Sequence, residues 1–278
     1  MTSVYPWKSA FVKYTHKKTH YYYNEADELK PALLFHHGFT DNGLCWDRLA
    51  SKFVNNYQCY LLDARGHGKS SDPSADLRYT DLMEDVLDFC ERLKLHDVVV
   101  IGHSMGGVLA TMIATDDKEF IKGVVLEDPA FPTNLLNIAN LKIRQVNSAI
   151  HKHRDIPKPK EHYIRKLHRM RPKWDEKDIE GCVLASQQFS LHYPLRNRRV
   201  LFSAPKWRDL VPKIIKPTLL LTSNRGLLTR KDGYVFQKLN SHVKWIHFEK
   251  KVGHSIRRDA FDKYYMVLNR FLNNLQKE

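Results

Sequence analysis

Val98-Val99-Val100-Ile101-Gly102-His103-Ser104-Met105-Gly106-Gly107 joins an apolar, β-branched run to a Gly-x-Ser-x-Gly motif, and Val108 to Thr115 continue with helical spacing. A strand that turns straight into a helix through this motif is a nucleophile elbow. The turn must be tight for the serine oxygen to stand clear of the backbone, so glycine is expected at 102 and 106, where a Cβ would collide. The helix that begins at Met105 points its N-terminal amides at the place where negative charge develops in acyl transfer. One decade of sequence thus predicts a parallel-sheet fold and a chemistry together.

Working outward, the same apolar signature recurs. Pro31 introduces Ala32-Leu33-Leu34-Phe35-His36, and Cys59 to Asp63, Gly123 to Glu127 and Thr218 to Thr222 repeat the pattern of strands buried on both faces. Asp47 to Asn55 and Thr80 to Leu93 have helical spacing, the second opened by Thr80 as its cap. Ala10 to His16 and His20 to Asn24 read as a hairpin turning at Lys17-Lys18-Thr19. Strands alternating with helices predict an α/β protein with a doubly wound, mostly parallel sheet and ligands at the carboxyl ends of its strands. The alternation stops after Asp128-Pro129 and resumes at Pro217, which predicts a core of 1–132 and 216–278 and a helical cap inserted after strand six at 133–215.

The chain has 278 residues and a net charge of +14. Residues 133–215 hold eighteen Lys and Arg against seven Asp and Glu, so +11 of that charge lies in the expected cap. A solvated helical surface is the plain reading; attraction of an anionic substrate or an anionic lipid surface is the sharper one. No zinc finger, helix-turn-helix or aromatic-basic RNA motif accompanies the charge, so nucleic acid is not the expected partner. The four cysteines, Cys45, Cys59, Cys90 and Cys182, lack metal or disulfide spacing and are expected as free thiols. No apolar run approaches the roughly 18 residues of a membrane span, and residues 1–8 lack a secretory signal's apolar stretch. The expected address is the cytoplasm.

Four motifs in order resemble the α/β-hydrolase superfamily over nearly the whole chain: His36-His37-Gly38-Phe39, Asp63-Ala64-Arg65-Gly66-His67-Gly68-Lys69-Ser70, the elbow, and Val252-Gly253-His254 before a helix from Arg257 to Leu275. The resemblance implies backbone oxyanion donors at Phe39 and Met105, and that the second of these motifs is a structural loop, with Asp63 paired to Arg65. The chemistry supplies its own reasons. A serine hydroxyl needs a base within hydrogen-bond reach, and a histidine can take its proton and return it to the leaving group. Among fifteen histidines His254 stands out as that base, because Gly253 allows close approach after the strand-like Val243 to Phe248. His36 and His37 are expected to support the oxyanion loop, and His103 to point into the structure.

The triad acid departs from the superfamily's commonest arrangement. After Thr218 to Thr222, where most members carry it, the chain reads Ser223-Asn224-Arg225-Gly226-Leu227-Leu228, with no carboxylate. Asp232 lies too far along, inside the next helix. Certain members take the acid from the end of the preceding strand, which here ends Leu126-Glu127-Asp128-Pro129. Asp128 is the expected acid; Glu127 or an orienting Asn224 remain alternatives, as does a purely structural Asp128 that caps the turn before Pro129. Trp46, Phe131, Trp174, Phe189, Tyr193 and Trp207 are candidate pocket residues, alongside their plainer reading as core.

The expected activity is a serine hydrolase acting on a carboxylic ester, thioester or lactone through an acyl-enzyme, with a small acyl substrate and neither metal nor organic cofactor. Serine at position 104 disfavours epoxide opening or dehalogenation, which require a carboxylate nucleophile. Carbon–carbon bond hydrolysis, cofactor-free haloperoxidase chemistry and a non-catalytic small-ligand binding protein are the alternatives.

Overall fold

Fully buried runs of β-branched and aliphatic residues build the centre of the sheet. The computed structural model describes residues 7–131, 160–188 and 203–277. Its strands are β1 (Lys8–Lys13), β2 (Lys18–Tyr23), β3 (Ala32–His36), β4 (Gln58–Leu62), β5 (Val98–His103), β6 (Ile121–Glu127), β7 (Thr218–Arg225) and β8 (Val243–Gly253). They form one eight-stranded sheet in the order β1-β2-β4-β3-β5-β6-β7-β8. From β4 to β8 every pairing is parallel, while β2 joins β4, and β1 joins β2, antiparallel.

Because successive side chains of a strand face opposite ways, each buried run feeds two cores. Leu34, Val100, Val124, Leu126 and Leu220 pack with helices α2 (Tyr79–Arg92), α3 (Met105–Ile113) and α7 (Arg230–Leu239). Leu33, Phe35, Ile101, Val125 and Leu221 face α1 (Asp47–Ala50) and α9 (Phe261–Leu275). Every residue of α3 is buried, so the elbow helix is gripped on all sides. The described part of the segment between β6 and β7 contributes α4 (Lys160–Met170), α5 (Glu176–Gln188) and α6 (Trp207–Leu210). Helix α5 is fastened to the core by Arg48 donating to Asp178 (3.1 Å) and Asn42 Nδ2 donating to Gln188 Oε1 (2.8 Å).

Local boundaries differ from the sequence expectations at several element ends. Helix α2 starts one residue before Thr80: Arg78 is the cap, its N–H held by the Asp81 carboxylate at 2.6 Å. The helix expected over 47–55 stops at Ala50, and the C-terminal helix is broken at Ala260 (φ −143°, ψ 53°) into α8 (Ile256–Asp259) and α9. The first hairpin turns a few residues early, closed by Tyr14 N–H to Lys17 O at 2.8 Å. All four cysteines are free, three of them buried.

Candidate active site

Ser104 follows β5 beside the carboxyl ends of β3 and β6. It stands between β5 and α3 with φ 55° and ψ −107°, a left-handed conformation that costs a non-glycine residue about 1–3 kcal/mol. Cross-links from the neighbouring strand hold it there: Ser104 N–H donates to Glu127 O (3.0 Å), and Ser104 O accepts Ala130 N–H (3.0 Å). A Cβ on Gly102 would stand 2.0 Å from Gly106 O, and one on Gly106 would stand 2.3 Å from His36 O, so the elbow closes only with glycine at both positions.

Asp128, directly after β6, is the second left-handed residue at this edge (φ 42°) and is fully buried. Its Oδ2 accepts His254 Nδ1–H at 2.6 Å. The same carboxylate accepts Leu227 N–H (2.8 Å to Oδ2) and Leu228 N–H (3.1 Å to Oδ1), amides of the turn after β7 where no acid was found. A Cβ on Gly226 would lie 2.6 Å from Asp128 Oδ2, so the carboxylate occupies the space in front of that turn. Neither alternative orienter reaches the histidine. Glu127 is bound to Arg257 through its Nη1 (2.8 Å) and its backbone N–H (2.9 Å), and the exposed Asn224 contacts His247 at 2.8 Å.

The loop carrying Phe39 lies against the serine, since a Cβ on Gly38 would approach Ser104 Cβ to 3.3 Å. Three buried histidines shape this loop and its neighbour. His37 Nδ1–H donates to Gly38 O (2.7 Å) while its Nε2 accepts Ala64 N–H (3.0 Å), which fixes a neutral tautomer. His67 donates through Nε2–H to Phe39 O. His103 donates through Nε2–H to His254 O (3.1 Å), with its ring 4.6 Å from the His254 ring. Burial pushes all three below the ordinary histidine range, His37 and His103 well below it; nearby positive groups add to the effect at those two, while at His67 the Phe39 and Arg65 carbonyls and the Asp63 and Asp41 carboxylates oppose it. His37 thus acts as an uncharged strut. Met105, in turn, opens α3 immediately after the serine.

A profile of the alpha/beta hydrolase fold matches residues 31–256. The chain belongs to the α/β-hydrolase family. It is 24% identical over 281 residues to a putative esterase/lipase of Mycoplasma pneumoniae, covering 98% of this chain and 96% of that one. It is 28% identical over 121 residues to epoxide hydrolase 1 of Caenorhabditis elegans, a match covering 43% of this chain and about a third (30%) of the nematode protein. Among solved structures, E-2-(acetamidomethylene)succinate hydrolase superposes with a TM-score of 0.80 at 15% identity, covering 96% of this chain and 99% of that one. An esterase from Exiguobacterium antarcticum gives 0.74 at 18% identity, covering 95% and 98%.

In this α/β-hydrolase several side chains stand elsewhere than expected. Trp46 is fully enclosed between Phe35 (5.4 Å) and the Arg257 guanidinium (3.9 Å), so it is core and not an open pocket floor. Trp207 stacks on Phe236 at 4.6 Å and Phe131 packs 6.1 Å from the same ring, both nearly fully buried in the core. Phe189 and Tyr193 lie outside the described residues. Trp174 joins α4 to α5 and is partly exposed. Asp63 is structural, but its partner is His20 Nδ1 (2.7 Å) together with the Gly43 amide (2.7 Å); Arg65 forks onto Asp85 instead, at 2.6 and 2.8 Å.

What sequence reasoning missed is the pair Arg257-Arg258 just after His254. Both are nearly fully buried. Arg257 grips Glu127, and Arg258 donates to both oxygens of Asp41 (3.2 and 3.3 Å), two residues past Phe39. Burial works against the Asp41 charge, yet Arg258 and Arg257 hold its carboxyl below the ordinary value. The histidine segment is thereby tied to the acid strand and to the oxyanion loop. Two arginines opening an amphipathic helix give no sign in sequence of which will be buried.

Proposed function

We propose that the protein is a serine hydrolase that cleaves a carboxylic ester, thioester or lactone through an acyl-enzyme. Ser104 Oγ attacks the acyl carbon and its proton passes to His254 Nε2. The oxyanion is received by the backbone amides of Phe39 and Met105. Collapse of the tetrahedral intermediate breaks the bond to the leaving oxygen or sulfur, which takes the proton from His254. Water, deprotonated by the same nitrogen, then releases the acid and restores the serine. Asp128 keeps Nδ1 protonated and stabilises the imidazolium.

The observation that carries this reading is the 2.6 Å bond from His254 to Asp128 at the strand end beside Ser104. It also weighs against a binding protein that has lost its catalytic acid. Epoxide opening, named for some relatives, calls for a carboxylate nucleophile, and this elbow holds a serine. Among the described residues no helix is long and apolar enough to cross a membrane, in keeping with a cytoplasmic enzyme for a small acyl substrate. We assign residues 133–215 as a cap over the site. Their net charge of +11 favours encounter with an anionic substrate.

The direct test is covalent labelling with a fluorophosphonate probe, followed by a panel of acyl esters. Labelling and hydrolysis by the native chain, both absent in Ser104→Ala, are the expected result. Equal behaviour of the two proteins would refute the proposal. Turnover confined to β-diketones, or dependent on peroxide and halide, would move the reaction to another class.

A further inference from the structure

His254 sits on a short link between β8 and α8, and its setting depends on what holds the peptide before it. Gly253 N–H donates to Asp259 Oδ2 at 2.7 Å, while Gly253 O accepts the Ser223 hydroxyl at 2.8 Å. The other oxygen of Asp259 is engaged from outside the core: Oδ1 accepts the indole N–H of Trp174 at 2.7 Å. Trp174 belongs to the turn between α4 and α5, and its ring lies between the guanidinium groups of Arg258 (5.0 Å) and Arg171 (5.1 Å). One carboxylate therefore bridges the inserted helices and the peptide that carries His254.

We propose that Asp259 is a positioning residue through which the seating of α4 and α5, read by Trp174, sets the alignment of His254; this rests on the serine-hydrolase reading above. A carboxylate held at both oxygens cannot turn about its χ2. When Trp174 withdraws, Oδ1 loses its partner, the carboxylate is free to rotate, and the Gly253 amide loses a fixed acceptor. His254 then keeps its ring contact to Asp128 but loses part of the backbone restraint that aims Nε2 at the serine. A misplacement of that kind lowers the rate of the chemical step rather than the affinity for substrate. Coupling is reciprocal, so a ligand that aligns His254 also favours seated helices.

Trp174→Phe keeps the ring and removes only the N–H; Asp259→Ala removes the bridge. Both variants and their combination are compared with the native chain in three assays: labelling rate with a small fluorophosphonate, kcat and KM on an acetate ester and an octanoate ester, and melting temperature to normalise for folded protein. Trp174→Phe is expected to slow labelling and acetate kcat about fivefold to tenfold with acetate KM unchanged. It is expected to add nothing in the Asp259→Ala background, because both changes break the same link. If Asp259→Ala does not fold, Asp259→Leu, which has no acceptor oxygen and fills the space of the carboxylate, serves as the second background with the same expectation. An effect of Trp174→Phe confined to KM or to the octanoate, no effect at all, or effects that multiply in the double variant would overturn the proposal. Failure of the native chain to label above Ser104→Ala would instead remove the hydrolase reading beneath it.

Discussion

Asp128→Asn separates the proposed triad from its alternatives, and the geometry fixes the size of the effect. The fully buried carboxylate meets donors on every side: Leu227 N–H at 2.8 Å, Leu228 N–H at 3.1 Å and His254 Nδ1–H at 2.6 Å. An asparagine has one acceptor oxygen and one donor group. Turning its NH2 toward Leu227 and Leu228 would set donor against two fixed donors, so the oxygen must face those amides and the NH2 must face His254. Nδ1 then has to accept, the ring proton moves to Nε2, and the atom that should take the serine proton already carries one. The expected loss is roughly 10³–10⁴-fold in kcat, about 4–5.5 kcal/mol of transition-state stabilisation. Both amides stay paired, so the melting temperature falls by only about 2–4 °C, corresponding to about 1 kcal/mol. Turnover of an acetate ester, measured beside Asn224→Ala, reads the effect. Retention by Asp128→Asn of more than about a tenth of native kcat, on the scale of about 1.4 kcal/mol per decade, would refute the assignment.

Glu127→Gln acts on stability instead, because it leaves Arg257, 2% exposed, with only the Asp41 carboxylate at 3.8 Å to balance its buried charge. Denaturant unfolding is expected to show a loss of about 3–5 kcal/mol, with kcat per folded molecule kept within a few-fold; a variant as stable as the native chain contradicts this. Gly226→Ala drives a methyl group to within 2.6 Å of Asp128 Oδ2 and should lower kcat at least about tenfold while costing about 1–3 kcal/mol of stability; native turnover would show that the carboxylate need not stay put. Stability should also fall on mild acidification. Burial lowers His36 to about 4 and holds His37 and His103 well below the ordinary value, so the folded state resists protons that the unfolded chain accepts below about pH 6.5. Groups depressed in this way contribute stability above that pH and lose it as the pH falls, by about 1 kcal/mol each at pH 5.5. Unfolding free energies measured at pH 7.5 and 5.5 should therefore differ by about 3–4 kcal/mol, and equal values would mean that these rings charge without cost.

The sheet was legible because its central strands are short apolar runs and the crossovers after β4, β5 and β7 are helices of ordinary length; the short α1, the turn of the first hairpin and the ends at Arg78 and Ala260 escaped the pattern. Ser104, His254 and Phe39 stood out in the sequence because glycine spacing marks places where backbone must approach backbone; their catalytic roles are the proposal made above. Strand alternation implied only that one of Glu127 and Asp128 faces the site; the preference for Asp128 came from the resemblance to superfamily members that take the acid there. The pocket was not legible. Aromatic residues such as Trp46 and Trp207 carry no sequence mark that tells core from cavity wall, and a buried Arg258 looks the same in sequence as a solvated one. The wrong partner for Asp63 has a similar cause: His20 comes from β2, 43 residues away, and only the antiparallel pairing of β2 with β4 brings it alongside.

The position of the acid follows from the sheet order. β6 lies between β5, which delivers the serine, and β7, after which the acid commonly sits, so a carboxylate from either β6 or β7 can reach the same point. Taking it from β6 locks it to the elbow through backbone bonds: Ser104 N–H to Glu127 O, and Ala130 N–H to Ser104 O, on either side of Asp128. The proposed nucleophile and acid are thereby joined, each at a left-handed residue held by its neighbour. The histidine has no such lock. It arrives from beyond β8, and its place is set by Asp128 on the ring, His103 on its carbonyl, and Asp259 on the preceding amide. Variation in activity among folded variants should therefore collect at the groups that hold His254, since the other two members can be displaced only by disturbing the sheet itself.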